Sequence, residues 1–177
     1  MPIITPEELL AKYSDMVYAV SLRLTGNTEE AEDLAEESLI CALRGLDGFR
    51  GEADPGVWLY RITVNRWKNK LRSPRLAFWR RLKGFVENED GELADPPDPA
   101  PGPGQQLETA ERRQAFEAAL STLEPEDRAI LILRELDGRS YSDIAGILSV
   151  PVGTVRSRLS RGREKMRDLL RGSLEGK

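Results

Sequence analysis

A chain of 177 residues with 40% hydrophobic content can bury the core of one domain or of two small ones, and its formal charge of −4 is ordinary for a globular protein. A single cysteine, Cys41, excludes an internal disulfide, and the lack of any histidine excludes the common Cys/His metal sites and the Ser–His and Cys–His pairs of nucleophilic hydrolases. No apolar run reaches the ~18 residues of a membrane span, and residues 1–6 lack the basic and then apolar start of a signal peptide, so the sequence predicts a cytoplasmic protein; no metal or cofactor site and no classical hydrolase chemistry are expected of it.

The first predicted element is a helix. Thr5, Pro6 and Glu8 have the spacing of a capping box with proline at the first helical position, and Leu9, Tyr13, Met16, Val20 and Leu24 follow at intervals of three and four up to Gly26. Asn27 or Thr28 opens a second helix to about residue 46, with Leu34, Leu39, Leu43 and Leu46 as its apolar side. Glu29, Glu32, Asp33 and Glu36 lie on one side of that helix, where carboxylates complement the dipole; from the residues alone this is a solvated face. Asp54 and Pro55 start a third helix to about residue 72. In it Trp58 and Ile62 are assigned to the core, while Tyr60, Arg61, Asn65, Arg66, Trp67, Lys68, Asn69 and Lys70 interleave aromatic, polar and basic groups. Such a surface suits single-stranded nucleic acid, because phosphates supply affinity and unstacked bases need stacking partners.

Residues 86–106, "VENEDGELADPPDPAPGPGQQ", are rich in proline, glycine and acid and poor in large apolar side chains, a composition that cannot offset its own ordering entropy. The sequence therefore predicts an all-α chain of two small helical domains, 1–73 and 107–177, joined by a flexible linker over 74–106; the basic–aromatic stretch 75–85 has no assigned structure. In the second domain, residues 108–120 and 125–136 read as a helical pair. Ser140 then caps a short helix carrying Ile144, Ala145 and Leu148, Ser149, Val150 and Pro151 make a turn, and a last helix runs from about residue 152 to 170.

Charge concentrates on that last helix: residues 150–177 carry eight Lys/Arg against three Asp/Glu, which suggests a polyanionic partner. Val155, Leu159, Gly162, Met166 and Leu169 form a buried stripe, leaving Gly153, Arg156, Ser157, Ser160 and Arg161 on the opposite face, free to enter a DNA groove. Arginine forks match guanine O6/N7 and serine hydroxyls read several base edges, Arg158 and Arg163 flank the face where phosphates would lie, and Thr154 is counted with the DNA-binding residues. A merely solvated basic helix is the alternative; turn, stripe and polar face together favour a helix-turn-helix.

Residues 120–170, including "GTVRSRLSR", resemble region 4 of bacterial RNA polymerase sigma factors of the extracytoplasmic-function type. "NTEEAEDLAEESL" and "FRGEADPGVWLYRITVN" resemble region 2 of the same family, and the two matches come in the family's order around an unmatched linker. The resemblance implies a factor that binds core RNA polymerase, reads the −35 duplex with the last helix and melts the −10 element with the third. It implies that Asp33, Glu36 and Glu37 meet the clamp coiled coil of the largest polymerase subunit, and that the second domain meets the flap of the second-largest. It further implies that the loop of Phe49, Arg50, Gly51, Glu52, Ala53 and Asp54 captures a flipped non-template base, with Arg61, Asn65, Arg66, Lys68 and Asn69 lining the strand and Asn65 at a base-contacting position. The acidic linker would thread toward the active-site cleft and RNA exit path, and control by an anti-sigma factor would be in keeping with the family. Glu36, Leu43 and Pro55 stand where family members commonly carry glutamine, an aromatic and an aromatic. Two rival classes are a helix-turn-helix repressor or activator that works without polymerase, and a protein-only interaction module.

Overall fold

The computed structural model describes residues 4–72 and 103–175, apart from the side chains of 103–111 and 173–175, and every regular element among them is helical. The predicted linker lies outside the described residues up to position 102, as does the stretch 75–85.

Helix α1 (Pro6–Thr25) opens with the anticipated capping box: Thr5 accepts from the Glu8 backbone and the Glu8 carboxylate accepts from the Thr5 N–H. It ends at Gly26, left-handed at φ 68°, whose N–H donates to the Leu22 carbonyl. Asn27 caps α2 (Thr28–Gly45) through the Glu30 N–H, and a single 3₁₀ turn, Leu46–Gly48, follows. The buried face of α2 differs from the leucine series: Ala31, Leu34, Ala35, Ser38 and Ala42 point inward, whereas Leu39 and Leu43 are only half-buried. Small side chains let α1 and α2 approach closely, so close contact replaces bulk on this face. Asp54 accepts from the Gly56 N–H and sets the start of α3 (Pro55–Arg72).

In the second module, α4 (Pro103–Ser121) begins a few residues before the expected start. Helix α5 (Pro125–Leu131) runs into a π-turn, Ile132–Leu136, in which the Asp137 N–H reaches back to the Ile132 carbonyl. Ser140 forms a full capping box with Asp143 at the head of α6 (Tyr141–Leu148). The turn to α7 (Val152–Glu175) passes through Ser149, the one non-glycine with positive φ (56°) among the described residues, and the Val150 N–H closes it on the Ala145 carbonyl. Val155, Leu159, Gly162 and Met166 are buried as the stripe requires, but Leu169 is exposed and Leu170 is the inward side chain of the final turns. At Gly162 α7 comes so near α5 that an added Cβ would stand 3.1 Å from a Leu131 methyl.

The two modules touch. Helix α6 lies against α3, and one apolar cluster takes Val20, Leu24, Tyr60, Val64 and Trp67 from the first module with Ile130, Leu133, Ile144 and Ile147 from the second. This contact corrects the assignment of aromatics on α3: Trp67, at 2% exposure, is the core tryptophan, and Trp58 and Ile62 are half-buried.

Candidate nucleic-acid interface

On α7, Gly153, Arg156, Ser157, Ser160 and Arg161 are all exposed and share one side, opposite the fully buried Val155 and Leu159. Thr154 is half-buried, and its carbonyl accepts from the Ser157 hydroxyl at 3.1 Å. The basic groups bordering this face are engaged. Arg163 sets Nε and Nη2 at 3.0 and 2.6 Å from one oxygen of Glu135, a bond that raises the guanidinium's already high pKa, and Arg158 bonds Glu126. Arg156 lies 5.9 Å from the ring of Tyr141, which also carries Arg134 at 4.9 Å. Tyr141, the first residue of α6, thereby ties the end of the π-turn to the start of the recognition face. Nothing in its sequence spacing announces this.

On α3, Arg61, Asn65 and Asn69 form an exposed stripe at intervals of four. Arg50, Gly51, Glu52, Ala53 and Asp54 are exposed in the preceding loop, while Phe49 is half-buried and stacks on Trp58 with ring centroids 4.7 Å apart. Arg66 and Lys68 turn aside to carboxylates: Arg66 to Glu37 at 3.1 Å, and Lys68 to Glu126 at 3.0 Å. Of the acidic group on α2, Asp33 and Glu36 are exposed; Glu37 also receives Lys70 at 3.1 Å. Partial burial pushes the Glu37 carboxyl up, but the bonds from Lys70 and Arg66 outweigh it and hold its pKa below the usual value.

Between the modules lies a network that sequence reading missed. The Asp137 side chain, 2% exposed, bonds Arg23 of α1, and Arg139 lies 4.5 Å from the Tyr60 ring centroid. Burial pushes the Asp137 carboxyl up against the pull of Arg23 and Arg139, and burial with the Asp137 charge pushes the Tyr60 phenol up. Arg128 sits 5.8 Å from the Trp67 centroid. Glu126, on α5, accepts from Lys68 and Arg158 together; the bond from Arg158, then that from Lys68, lowers its pKa.

A helix-turn-helix with a polar, arginine-bearing outer face, beside a helical module carrying an exposed Arg–Asn stripe, defines a DNA-binding protein of two helical modules. Residues 9–76 match the sigma-70 region 2 family and residues 113–166 the sigma-70 region 4 family. The chain is 40% identical over 161 residues to the RNA polymerase sigma-H factor of Pseudomonas aeruginosa, covering 88% of this chain and 81% of that one. It is 36% identical over 165 residues to the ECF RNA polymerase sigma factor SigE of Mycolicibacterium smegmatis, covering 93% of this chain but only 61% of the relative's length. Against the ECF RNA polymerase sigma factor SigW of Bacillus subtilis the identity is 32%, covering 90% and 85%. Among solved structures, the sigma factor RpoE of Bartonella quintana, in complex with the anti-sigma factor NepR, aligns with a TM-score of 0.67 at 25% identity over 93% of this chain and 96% of that one. CnrH, in complex with the cytosolic domain of CnrY, shares the fold with a TM-score of 0.63 at 21% identity over 94% and 88%. The chain belongs to the extracytoplasmic-function sigma factors of the sigma-70 family.

Proposed function

We propose that the protein binds core RNA polymerase in the cytoplasm, directs it to promoters and catalyses nothing itself. In this reading Gly153, Thr154, Arg156, Ser157, Ser160 and Arg161 read the −35 duplex, with Arg158 and Arg163 on flanking phosphates. The loop from Phe49 to Asp54, with Arg61, Asn65, Arg66, Lys68 and Asn69, captures the opened −10 strand. Asp33, Glu36 and Glu37 dock on the clamp coiled coil and the second module on the flap. The observation that carries the reading is the joint exposure of two faces, Arg156–Ser157–Ser160–Arg161 and Arg61–Asn65–Asn69, on helices whose opposite sides are buried. A polymerase-independent repressor leaves the second face, and the match to region 2, without a purpose. The chain described in complex with NepR makes a regulator of anti-sigma type a fitting further partner.

Opening the −10 element costs a few kcal/mol per unstacked base, which base capture must repay. The test is co-purification with core polymerase, then run-off transcription and permanganate reactivity on duplex and pre-melted templates. Asn65→Ala should bind core normally and open duplex promoters poorly. Failure of the wild-type chain to bind core refutes the sigma reading; wild-type opening by Asn65→Ala removes α3 as the −10 reader.

A further inference from the structure

Tyr141, the first residue of α6, has its backbone fixed from both sides. Upstream, Gly138 turns through φ 62° and the Arg139 N–H donates to the Leu133 carbonyl at 2.8 Å; downstream, the capping box of Ser140 with Asp143 sets the first helical turn. The half-buried side chain is left with little freedom beyond its own rotamers. Arginines from the π-turn and from α7 converge on it. Arg134 stands 4.9 Å from the ring centroid and is itself anchored, since its Nη1 donates to the Arg139 carbonyl at 2.9 Å. Arg163 is held in its charged form by Glu135 most strongly and by the Tyr141 phenol as well. Arg156 lies 5.9 Å from the centroid, and among the described residues the ring is the one group that engages its guanidinium. An arginine that reads a base gives up several rotatable bonds, and whatever directs it beforehand lowers that cost.

We propose that Tyr141 is a positioning residue for base recognition: its ring directs the Arg156 guanidinium, so that part of the base preference of the recognition helix is set from α6. The inference rests on the reading of α7 as the −35 reader. The face of an aromatic ring is negative, which lets the guanidiniums of Arg134 and Arg156 gather where they would otherwise repel. Distance sets the strength. Arg134 is close, whereas 5.9 Å is near the outer limit of about 6 Å for such contacts, so the ring biases Arg156 without trapping it and a guanine can draw it away. Leucine at position 141 would keep apolar bulk at the start of α6 but offer no negative face. Phenylalanine would keep the face and give up only the hydroxyl.

The test is binding of the full chain, assembled with core polymerase, to a library randomised in the −35 element, comparing wild type with Tyr141→Phe, Tyr141→Leu, Arg156→Ala and the double variant Tyr141→Leu/Arg156→Ala. The single variant Arg156→Ala identifies the base pair that this arginine reads. At that pair Tyr141→Leu should reduce the preference about two- to fivefold, as loss of an exposed cation–π contact requires, while Tyr141→Phe retains it. Adding Tyr141→Leu to Arg156→Ala should remove no further preference there. Preference is a ratio within one preparation, so partial misfolding of a variant, which lowers binding to every sequence alike, leaves it unchanged. An even loss in Tyr141→Leu, with the preference intact, confines Tyr141 to phosphate contact or folding and overturns the proposal. Loss of the preference in Tyr141→Phe, or a further loss in the double variant, overturns it too. If Arg156→Ala itself leaves every preference unchanged, the reading of α7 has failed and the positioning falls with it, a result distinct from failure of the tyrosine variants alone.

Discussion

Replacing Arg156 or Arg161 with alanine should change what the protein reads, whereas replacing Arg163 should change only how tightly it holds. Among the described residues no carboxylate engages Arg156 or Arg161: Arg156 rests near Tyr141, and Arg161 reaches only the Ser157 carbonyl of its own helix, at 3.4 Å. Each can therefore present its fork to a guanine without first breaking an ion pair, and a bidentate contact of that kind discriminates by about 1–3 kcal/mol, roughly five- to 150-fold in relative affinity. Arg163 starts from a different balance. Its pair with Glu135 is 47% and 42% exposed, so it contributes at most about 1 kcal/mol, less in salt, and a phosphate can displace it. Its alanine variant should lose affinity evenly across sequences and reduce the salt slope by about one phosphate's worth. The assay is binding of the reconstituted polymerase complex to a library randomised in the −35 element at several salt concentrations. Even weakening by Arg156→Ala, with base preference unchanged, would refute base readout by this face.

Three more outcomes follow from the geometry. Gly162→Val should destabilise the second module by about 1–3 kcal/mol in urea titration, because its side chain meets Leu131 already at van der Waals limit, while in Gly162→Ala about 1 kcal/mol of gained helix preference is set against the 3.1 Å contact and little net change results. Limited proteolysis should cut the free chain within residues 86–102, and because the modules touch, the fragments should still co-elute in gel filtration; separate elution would show that the contact is too weak to persist without the tether. The two inter-module carboxylates should respond oppositely to pH. Glu126, lowered from an ordinary 4.5, contributes stability above that value that is lost as pH falls through its folded pKa; Asp137, raised from 3.8, contributes most below 3.8 and loses that contribution as pH rises through its folded pKa. Urea midpoints from acid to neutral pH should thus show Glu126→Gln weakening the chain mainly toward neutrality and Asp137→Asn costing least there; the reverse order would refute these assignments.

What the sequence made legible was local. Thr5 and Glu8 stand three residues apart and Ser140 precedes an apolar run, so cap chemistry places both helix starts, and the 4-3-4 rhythm of Val155, Leu159, Gly162 and Met166 sorts α7 into a buried and an exposed side. The rhythm fails at Leu169, where a four-three repeat drifts against a helix of 3.6 residues per turn and α4 lies along α7, so that Leu170 turns inward. On α2, alanine and serine occupy the tight face that leucines were expected to fill, because closeness to a neighbour is not written in a single helix. The tryptophans of α3 changed places for a tertiary reason: α3 packs against α1 and α2 and also against α6, and the second neighbour lies some eighty positions away in the chain. The same distance hides Glu126 and Asp137, whose partners Lys68 and Arg23 are 58 and 114 residues off.

Ser149 gives the turn between α6 and α7 a mechanical property. A non-glycine residue at φ 56° is an uncommon state, held here by the Val150 bond to Ala145 and by the fixed φ of Pro151 two residues on. These two restraints, with the packing of α6 on α7, stiffen the elbow between the helices. The recognition helix therefore travels as cargo on α6: whatever grips α6 steers the base-reading face through a stiff lever, and a grip broken on one releases the other in the same stroke.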